Sequence, residues 1–222
     1  MSDPLSQLTI VLPVGPGDKA WPSLYATLCE HAAAAEVLPV FAEDDPQPAP
    51  ADALRCARGR ALQQNAGARA ARREWLWFVH ADTRLTADTL PALRAFLQRN
   101  EPALGWFRLR FDADGPRRLR WAMRANAAGA NWRSRRLGLP FGDQGLAIPR
   151  LEFDRLEGFD PLLAHGEDHA LVWRARRAGL PLREIDAALL TSARKYAANG
   201  WLRTTLHHLR LTASQAWREA RR

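Results

Sequence analysis

Residues 75–83 read WLWFVHADT, so that five consecutive apolar side chains are followed directly by His80, Ala81, Asp82 and Thr83. A continuous apolar run is typical of a strand buried on both faces of a parallel sheet. A carboxylate at the carboxyl end of such a strand lies at the sheet edge, where open α/β folds bind ligands and where it can hold a divalent cation against a diphosphate. Aspartate is also common in turns, and this segment alone is compatible with either interpretation.

Two similar apolar runs precede this stretch, LTIVLPV at residues 8–14 and VLPVF at residues 37–41. Between the runs lie helix-like segments at residues 22–35 and 52–73, the second opening on Asp52 as a candidate cap. Strands that alternate with helices predict an α/β fold with a mostly parallel central sheet flanked by helices.

The pattern is looser after Asp82. Thr86 could cap a helix whose leucines share one face, and residues 107–111 alternate as in a half-buried strand. Residues 167–178 predict a helix that stops at Gly179. Residues 200–222 predict a C-terminal basic amphipathic helix. We therefore expect a single domain over residues 1–222.

The composition excludes disordered, collagen-like and disulfide-stapled classes, since 47% of the 222 residues are hydrophobic and 25% are charged. The net charge of +8 is unevenly distributed. Residues 1–54 contain eight acids and one base, Lys19, whereas the remainder contains 31 bases and 16 acids. Basic residues interleaved with tryptophan, as at residues 117–136, are compatible with nucleic acid, an anionic substrate, an anionic membrane or plain solvation.

Two cysteines without metal-binding spacing, and no apparent signal peptide, predict a cytoplasmic location. No apolar run reaches the ~20 residues that a membrane-spanning helix needs. Any membrane contact is therefore expected to be peripheral, on the inner face.

A dinucleotide-binding protein is a competing interpretation, because Gly15, Gly17 and Ala20 follow a strand in the G-x-G-x-x-A spacing. Against it, Asp18 would place negative charge where a pyrophosphate approaches the helix. A phosphate-binding P-loop fits less well, since Lys19 is followed by alanine.

Four blocks resemble segments of family 2 glycosyltransferases with the GT-A fold. They occur in that family's order and span most of residues 8–200: RGR, NAGA and FVHADT within residues 58–83, FGDQGL at 141–146, GF and GED within 158–168, and TSARKY at 191–196. The last block is similar to a bacterial subgroup associated with radical-SAM or selenium-related gene neighbourhoods.

The resemblance implies inverting transfer of a sugar from a nucleotide diphosphate sugar to an unidentified acceptor hydroxyl. Residues 8–100 would then form the nucleotide-binding half and residues 101–200 the acceptor half. Asp168 would be the general base, with Glu167 beside it, and Asp82 would ligate a divalent cation, Mg²⁺ or Mn²⁺. By the same resemblance, Pro13, Val14, Glu43, Asp44, Arg60, Asn65, His80 and Asp82 would bind the nucleotide sugar, and Gly142, Asp143, Gln144 and Arg194 would lie on the acceptor side.

His80 stands where many members of that family have an aspartate, and it adds no negative charge, so metal affinity is expected to be modest. A nucleotidyltransferase remains an alternative, although the GPGDK segment at residues 15–19 is only a faint version of its loop. A nucleic-acid-binding or dinucleotide-binding α/β protein is a further alternative, with nucleic acid the less favoured partner.

Overall fold

The computed structural model describes residues 2–112, 120–163 and 165–192, and an eight-stranded sheet lies at its centre. In chain order the strands are β1 (Leu8–Pro13), β2 (Glu36–Ala42), β3 (Leu54–Cys56), β4 (Trp75–Phe78), β5 (Arg84–Leu85), β6 (Leu104–Phe111), β7 (Leu146–Pro149) and β8 (Leu182–Thr191).

The strand order across the sheet is β3-β2-β1-β4-β7-β6-β8-β5. Strands β3, β2, β1 and β4 are mutually parallel, and β6 is parallel to β8. Only β7 and β5 pair with their neighbours in the antiparallel sense. The mostly parallel α/β sheet predicted from the sequence is therefore confirmed, and the carboxyl ends of β1, β2 and β4 lie along one edge.

The described part of the chain contains six α-helices that cover the two faces of the sheet: α1 (Trp21–His31), α2 (Arg60–Ala70), α3 (Thr89–Gln98), α4 (Arg120–Leu137), α5 (Arg150–Arg155) and α6 (Glu167–Arg177). Helices α1 and α3 contribute to one hydrophobic cluster, and α2, α5 and α6 contribute to the other. None of the helices in the described ranges combines the length and apolarity required to cross a bilayer.

Strand β4 explains why the apolar run in residues 75–79 is continuous. Its two tryptophans, Trp75 and Trp77, pack in the cluster with α1 and α3, while Leu76 and Phe78 pack in the cluster with α2, α5 and α6. All four side chains are buried. Because both faces of this strand are covered, no polar side chain could alternate along it.

The composition of residues 52–73 predicts a single helix, and this prediction is wrong. Residues Leu54–Cys56 form β3 at the sheet edge, parallel to β2, and α2 begins only at Arg60 after Gly59, whose φ is 146°. Helix periodicity does not reveal β3, because an edge strand of three residues is too short to show a period. It does not reveal the break before α2 either, which depends on a φ value at Gly59 that suits glycine.

The second half of the chain also departs from the sequence prediction. Helix α4 and strands β7 and β8 were not predicted, whereas the helix expected at residues 167–178 is observed as α6. Thr86 does not cap its helix as expected; instead its backbone N–H donates to Thr89 Oγ1 at 2.9 Å. The C-terminal helix predicted at residues 200–222 lies outside the described residues.

Helix α2 approaches the sheet closely at Gly67. A Cβ atom added there would lie 2.4 Å from Val11 Cγ1 and 3.2 Å from Val40 Cγ2, and both valines are buried in strands. Gly129, in the middle of α4, is the opposite case, since an added Cβ would meet no atom within 4 Å.

These two glycines give a matched test of the close approach. Gly67→Ala should lower the free energy of unfolding by about 1–3 kcal/mol through overpacking. Gly129→Ala should raise it by about 0.5–1 kcal/mol, because alanine loses less backbone entropy in an open helical position. Urea unfolding of both variants measures the difference. Equal effects of the two substitutions would contradict a tight contact between α2 and the sheet.

Candidate active site

The candidate site lies where β4 ends and β7 begins. Phe78 at the end of β4 pairs with Leu146 at the start of β7, so His80 and the turn at Gly142–Gln144 are brought to the same edge. Helix α6 begins beside them at Glu167. Three segments far apart in the sequence, those of His80, Gly142 and Asp168, therefore meet at the edge where open α/β sheets bind ligands.

Gly142 is the point of closest contact among these segments. Its backbone N–H donates to Asp168 Oδ2 at 2.5 Å. A Cβ atom added at Gly142 would lie 2.8 Å from Asp168 Oδ2 and 3.1 Å from His80 Nε2. Any side chain at this position would therefore clash with both polar groups. Because glycine has no side chain, Asp168 and His80 can both lie close to the backbone of Gly142.

Asp168 lies in the first turn of α6 and is held by two backbone donors. Besides Gly142, the N–H of His169 donates to Asp168 Oδ1 at 2.8 Å. The helix follows Gly166, which adopts a left-handed conformation with a φ of 86°. Since a carboxylate offers roughly four lone-pair positions, two backbone hydrogen bonds orient Asp168 and leave positions for a further hydrogen bond.

Glu167, the neighbouring carboxylate, is buried and faces Arg60 from the start of α2. Glu167 Oε1 lies 3.6 Å from Arg60 Nη1. Burial raises the pKa of Glu167, and the negative charge of Asp168 raises it further, whereas Arg60 opposes these effects. Arg60 therefore lies beside a carboxylate of α6, and its contact with a nucleotide sugar stays a prediction.

Asp143 is the most strongly perturbed carboxyl group of the cluster. Its pKa is raised from 3.8 to about 6, chiefly by burial and further by the charges of Asp168 and Asp82. Its Oδ1 atom is inaccessible to solvent, and no group in the described ranges donates a hydrogen bond to it. Carboxylates that share one site oppose each other's ionisation in this way.

Arg133 supplies compensating positive charge from α4. Its guanidinium lies 3.6 Å above the ring centroid of Phe141, and its Nε donates to the Leu139 carbonyl at 2.9 Å. Burial lowers the pKa of Arg133, while the charges of Asp143 and Asp168 oppose that effect. The sequence did not single out Arg133, because it is one of seven arginines in residues 117–136 and only the fold distinguishes it.

The ends of β1 and β2 are joined by a side chain that sequence reasoning also missed. Gln63 of α2 is buried, and its Nε2 donates to the Val14 carbonyl at 2.8 Å and to the Val40 carbonyl at 2.7 Å. The register of the two strands also places Pro13 beside Val40. Pro13 and Val14 therefore end a rigid strand at the same edge as His80.

The acidic loop after β2 is held by two arginines. Arg55 of β3 donates to the carbonyls of Ala42, Asp45 and Gln47 at 2.7–3.1 Å. Arg58 binds Asp44 at 2.8 Å and lowers the pKa of that carboxyl group by its hydrogen bond. Glu43 and Asp44 are both exposed at the edge where β2 ends.

Asn65 and Gln144, two of the residues predicted to lie in the site, have their polar groups engaged by the protein. Asn65 exchanges two hydrogen bonds with the backbone of Phe159, at 2.7 and 2.9 Å. Gln144 is buried; its Oε1 accepts from Ser134 Oγ at 2.7 Å, and its Nε2 donates to the Phe107 carbonyl at 3.1 Å. In the structure Asn65 fastens α2 to the loop after α5, and Gln144 fastens the Gly142 turn to α4 and β6.

A divalent cation would find few protein ligands here. No group of three or more histidine, cysteine, aspartate or glutamate side chains among the described residues could hold a metal ion by itself. Asp82 is half-buried, and its charge acts on Asp143. This donor set fits a cation such as Mg²⁺, which is commonly held by one or two carboxylates together with substrate phosphates.

The turn after β1 disfavours the dinucleotide-binding alternative. Asp18 Oδ1 accepts a hydrogen bond from the Ala20 N–H at 2.7 Å, directly before α1. A pyrophosphate at this helix N-terminus would have to displace that carboxylate and overcome its charge.

Arg194, the remaining acceptor-side residue predicted from the sequence, lies outside the described residues.

A protein-family model agrees with part of this description. Residues 53–155 match the model named Glycosyl transferase family 2, which includes β3, α2, β4 and the Gly142 turn. A search of curated proteins finds no match to this chain.

Solved glycosyltransferase structures share the fold. Residues 1–349 of S. aureus TarS match with a TM-score of 0.63 and 13% identity, over 84% of this chain and 60% of that one. TarS 1–349 in complex with UDP-GlcNAc matches with a TM-score of 0.64, 13% identity and 84% coverage of this chain against 58% of that one.

The mannosyltransferase PcManGT from Pyrobaculum calidifontis, in complex with GDP-Man and Mn²⁺, matches with a TM-score of 0.55 and 17% identity, over 83% of this chain and 56% of that one. The chain thus spans about 60% or less of the length of these relatives. The shared fold is the GT-A arrangement.

The raised pKa of Asp143 should make the free energy of unfolding depend on pH. Because the pKa of Asp143 rises from 3.8 to about 6 on folding, ionisation of this group opposes the folded state. Asp143→Asn should therefore raise the free energy of unfolding at pH 7 by about 1–3 kcal/mol, and the gain should vanish as the pH falls from 6 to below 4.

Urea unfolding across this pH range provides the measurement. Asp154→Asn, which removes an exposed carboxylate of α5, is the control and should follow the wild-type curve. An Asp143→Asn protein no more stable than wild type at pH 7 would show that Asp143 is not held in an unfavourable ionised state.

Proposed function

We propose that this protein transfers a sugar from a nucleotide diphosphate sugar to an acceptor hydroxyl, with inversion at the anomeric carbon. The observation that carries the proposal is the contact among His80, Gly142 and Asp168 at the carboxyl edge of the sheet. It joins the end of β4, where a diphosphate would bind, to an oriented carboxylate that can accept a proton.

The donor would bind along the ends of β1, β2 and β4. Val14 follows β1, the exposed carboxylates of Glu43 and Asp44 follow β2, and His80 and Asp82 follow β4. Carboxylates can accept hydrogen bonds from ribose hydroxyls and base N–H groups. TarS has been solved with UDP and with UDP-GlcNAc, and PcManGT with GDP-Man, which supports a nucleotide sugar as the ligand of this edge.

Asp168 would act as the general base of a single displacement. The acceptor hydroxyl gives its proton to Asp168 as its oxygen bonds to the anomeric carbon, and the bond from that carbon to the diphosphate oxygen breaks. The nucleoside diphosphate leaves with the electron pair of the broken bond. A direct displacement on the opposite face inverts the anomeric centre.

Charge on the leaving diphosphate would be balanced by Arg60 and by a divalent cation at Asp82. The cation, when bound, neutralises charge that develops on phosphate oxygens. Arg60 reaches the cluster from the start of α2 and is half-exposed beside the buried Glu167. Glu167 would therefore serve to position Arg60, and we assign it no proton transfer.

The acceptor would enter on the side of Gly142 and Asp143. Gln144 supports this turn through its hydrogen bonds to α4 and β6, and Arg133 places its guanidinium over the ring of Phe141. The narrower radical-SAM or selenium-associated subgroup is suggested only by the TSARKY block at residues 191–196. Arg194, which would complete the acceptor side, belongs to the part of this block outside the described residues.

A donor screen tests the proposed ligand class. UDP-GlcNAc, GDP-mannose and the corresponding dTDP- and ADP-sugars are added with Mn²⁺ or with EDTA, and the melting temperature is recorded. A true donor at 100 times its Kd should raise the melting temperature by about 5–10 °C. Asp82→Asn should remove the part of the shift that depends on Mn²⁺. If no nucleotide sugar shifts the melting temperature, the proposed function is wrong.

Separating binding from chemistry tests the role of Asp168. Asp168→Asn keeps the shape of the side chain but removes the base, so release of nucleoside diphosphate from the donor should fall by at least about 100-fold. The donor-induced melting shift should be retained. Asp160→Asn, in the loop before α6, is the matched control and should keep both properties. Loss of donor binding in Asp168→Asn would contradict its assignment as the base.

A further inference from the structure

Helix α4 presents two large aromatic side chains to solvent. Trp121 is 65% exposed and Trp132 is 59% exposed, while Leu137 is exposed at the end of the same helix. Exposed tryptophans are uncommon on a surface that contacts only water, because each leaves a large apolar area unburied.

The two tryptophans lie on the same side of the helix. They are eleven residues apart, which is about three turns and about 16 Å along the helix axis. Three of the exposed positions between them, Ala125, Ala128 and Gly129, are small, and a Cβ added at Gly129 would meet nothing within 4 Å; the fourth is Arg124. We call this surface, from Trp121 to Trp132, the tryptophan face of α4.

The tryptophan face is flanked by positive charge. Arg120, Arg124, Arg135 and Arg136 are exposed, and α4 contains no acidic residue. Arg135 is paired with Glu184 of β8 at 2.5 Å. Among the described residues, Arg124 and Arg136 form no ion pair, so their charges are available to an anionic partner near the tryptophans.

We propose that the tryptophan face of α4 docks the protein on an anionic membrane surface. Tryptophan favours the interfacial region of a bilayer, and arginine beside it is attracted to anionic headgroups. A helix of this kind lies in the plane of the interface with its apolar side chains inserted among the headgroups.

The shape of the surface favours a bilayer over a nucleic acid. Single-stranded nucleic acids are bound in grooves that follow the backbone, with bases stacked on aromatic rings. The tryptophan face is the exposed side of a single helix, where Ala125, Ala128 and Gly129 are small and Arg124 lies at the margin. Such a helix face can insert into an interface with its charged residues at the edge.

Docking through α4 would also orient the candidate site. The other side of α4 carries Ser134, which binds Gln144 of the Gly142 turn, and Arg133, which contacts Phe141. The turn on the acceptor side of the site is thus one helix diameter, about 10 Å, from the proposed membrane surface. This proposal does not depend on which reaction the site performs.

Vesicle sedimentation of the full chain tests the proposal. Phosphatidylcholine vesicles with about 30% phosphatidylglycerol should bind the protein, and pure phosphatidylcholine vesicles should bind it weakly. Trp121→Ser combined with Trp132→Ser should reduce binding at least about tenfold. Arg124→Gln and Arg136→Gln should each reduce it about fivefold, less at high salt.

Leu151→Ser is the matched control, since Leu151 is an 80% exposed apolar side chain on a different helix, α5. It should bind vesicles as wild type does, and all variants should keep the wild-type melting temperature and its donor-induced shift. The arginine variants preserve the test if the double tryptophan variant does not fold. Binding of the same variants to oligo-dT tests the nucleic-acid alternative. The proposal is wrong if the protein does not bind anionic vesicles or if the control loses as much binding as the tryptophan variant. It is also wrong if the tryptophan variant loses binding to oligo-dT but keeps its binding to vesicles.

Discussion

The hydrogen bond from the Gly142 N–H to Asp168 joins two distant segments of the candidate site, and its geometry depends on the absence of a side chain at Gly142. The bond joins the turn before β7 to the first turn of α6 and brings both beside His80 at the end of β4. Without this contact, the polar ends of the strands and the carboxylates of α6 would be separate features of the surface. With it, one carboxylate is fixed by two backbone donors at the edge of the sheet.

This close assembly concentrates negative charge, and the rest of the fold balances it. Asp143 and Glu167 both have raised pKa values because they are buried near other carboxylates, and Arg60 and Arg133 oppose the effect from two different helices. The same balancing occurs across the whole chain. Acids of the first 54 residues pair with later arginines: Asp3 with Arg94, Glu36 with Arg72, and Asp44 with Arg58. The uneven charge of the sequence is therefore partly neutralised within the fold.

The central strands and α6 could be predicted because their patterns are local. A strand covered on both faces needs a continuous apolar run, as at Trp75–Phe78, and α6 carries its acids at one end and a glycine after the other. The missed features depend on distant partners. Nothing near Gln63 or Arg133 in the sequence indicates that the first binds two strand carbonyls or that the second lies over Phe141. The backbone at His80, Gly142 and Asp168 is brought together at one edge of the sheet, and the roles of the site residues named by resemblance stay predictions.

The arginine of β3 holds the acidic loop after β2 in one conformation, although the composition of the loop does not indicate this. A loop rich in proline and acidic residues would ordinarily sample many conformations, and a ligand that bound it would have to select one. Arg55 donates to three carbonyls of this loop, and Asp45 binds the backbone and side chain of Gln47. The loop is thereby preorganised, so a ligand that contacts Glu43 or Asp44 loses less conformational entropy of the protein on binding.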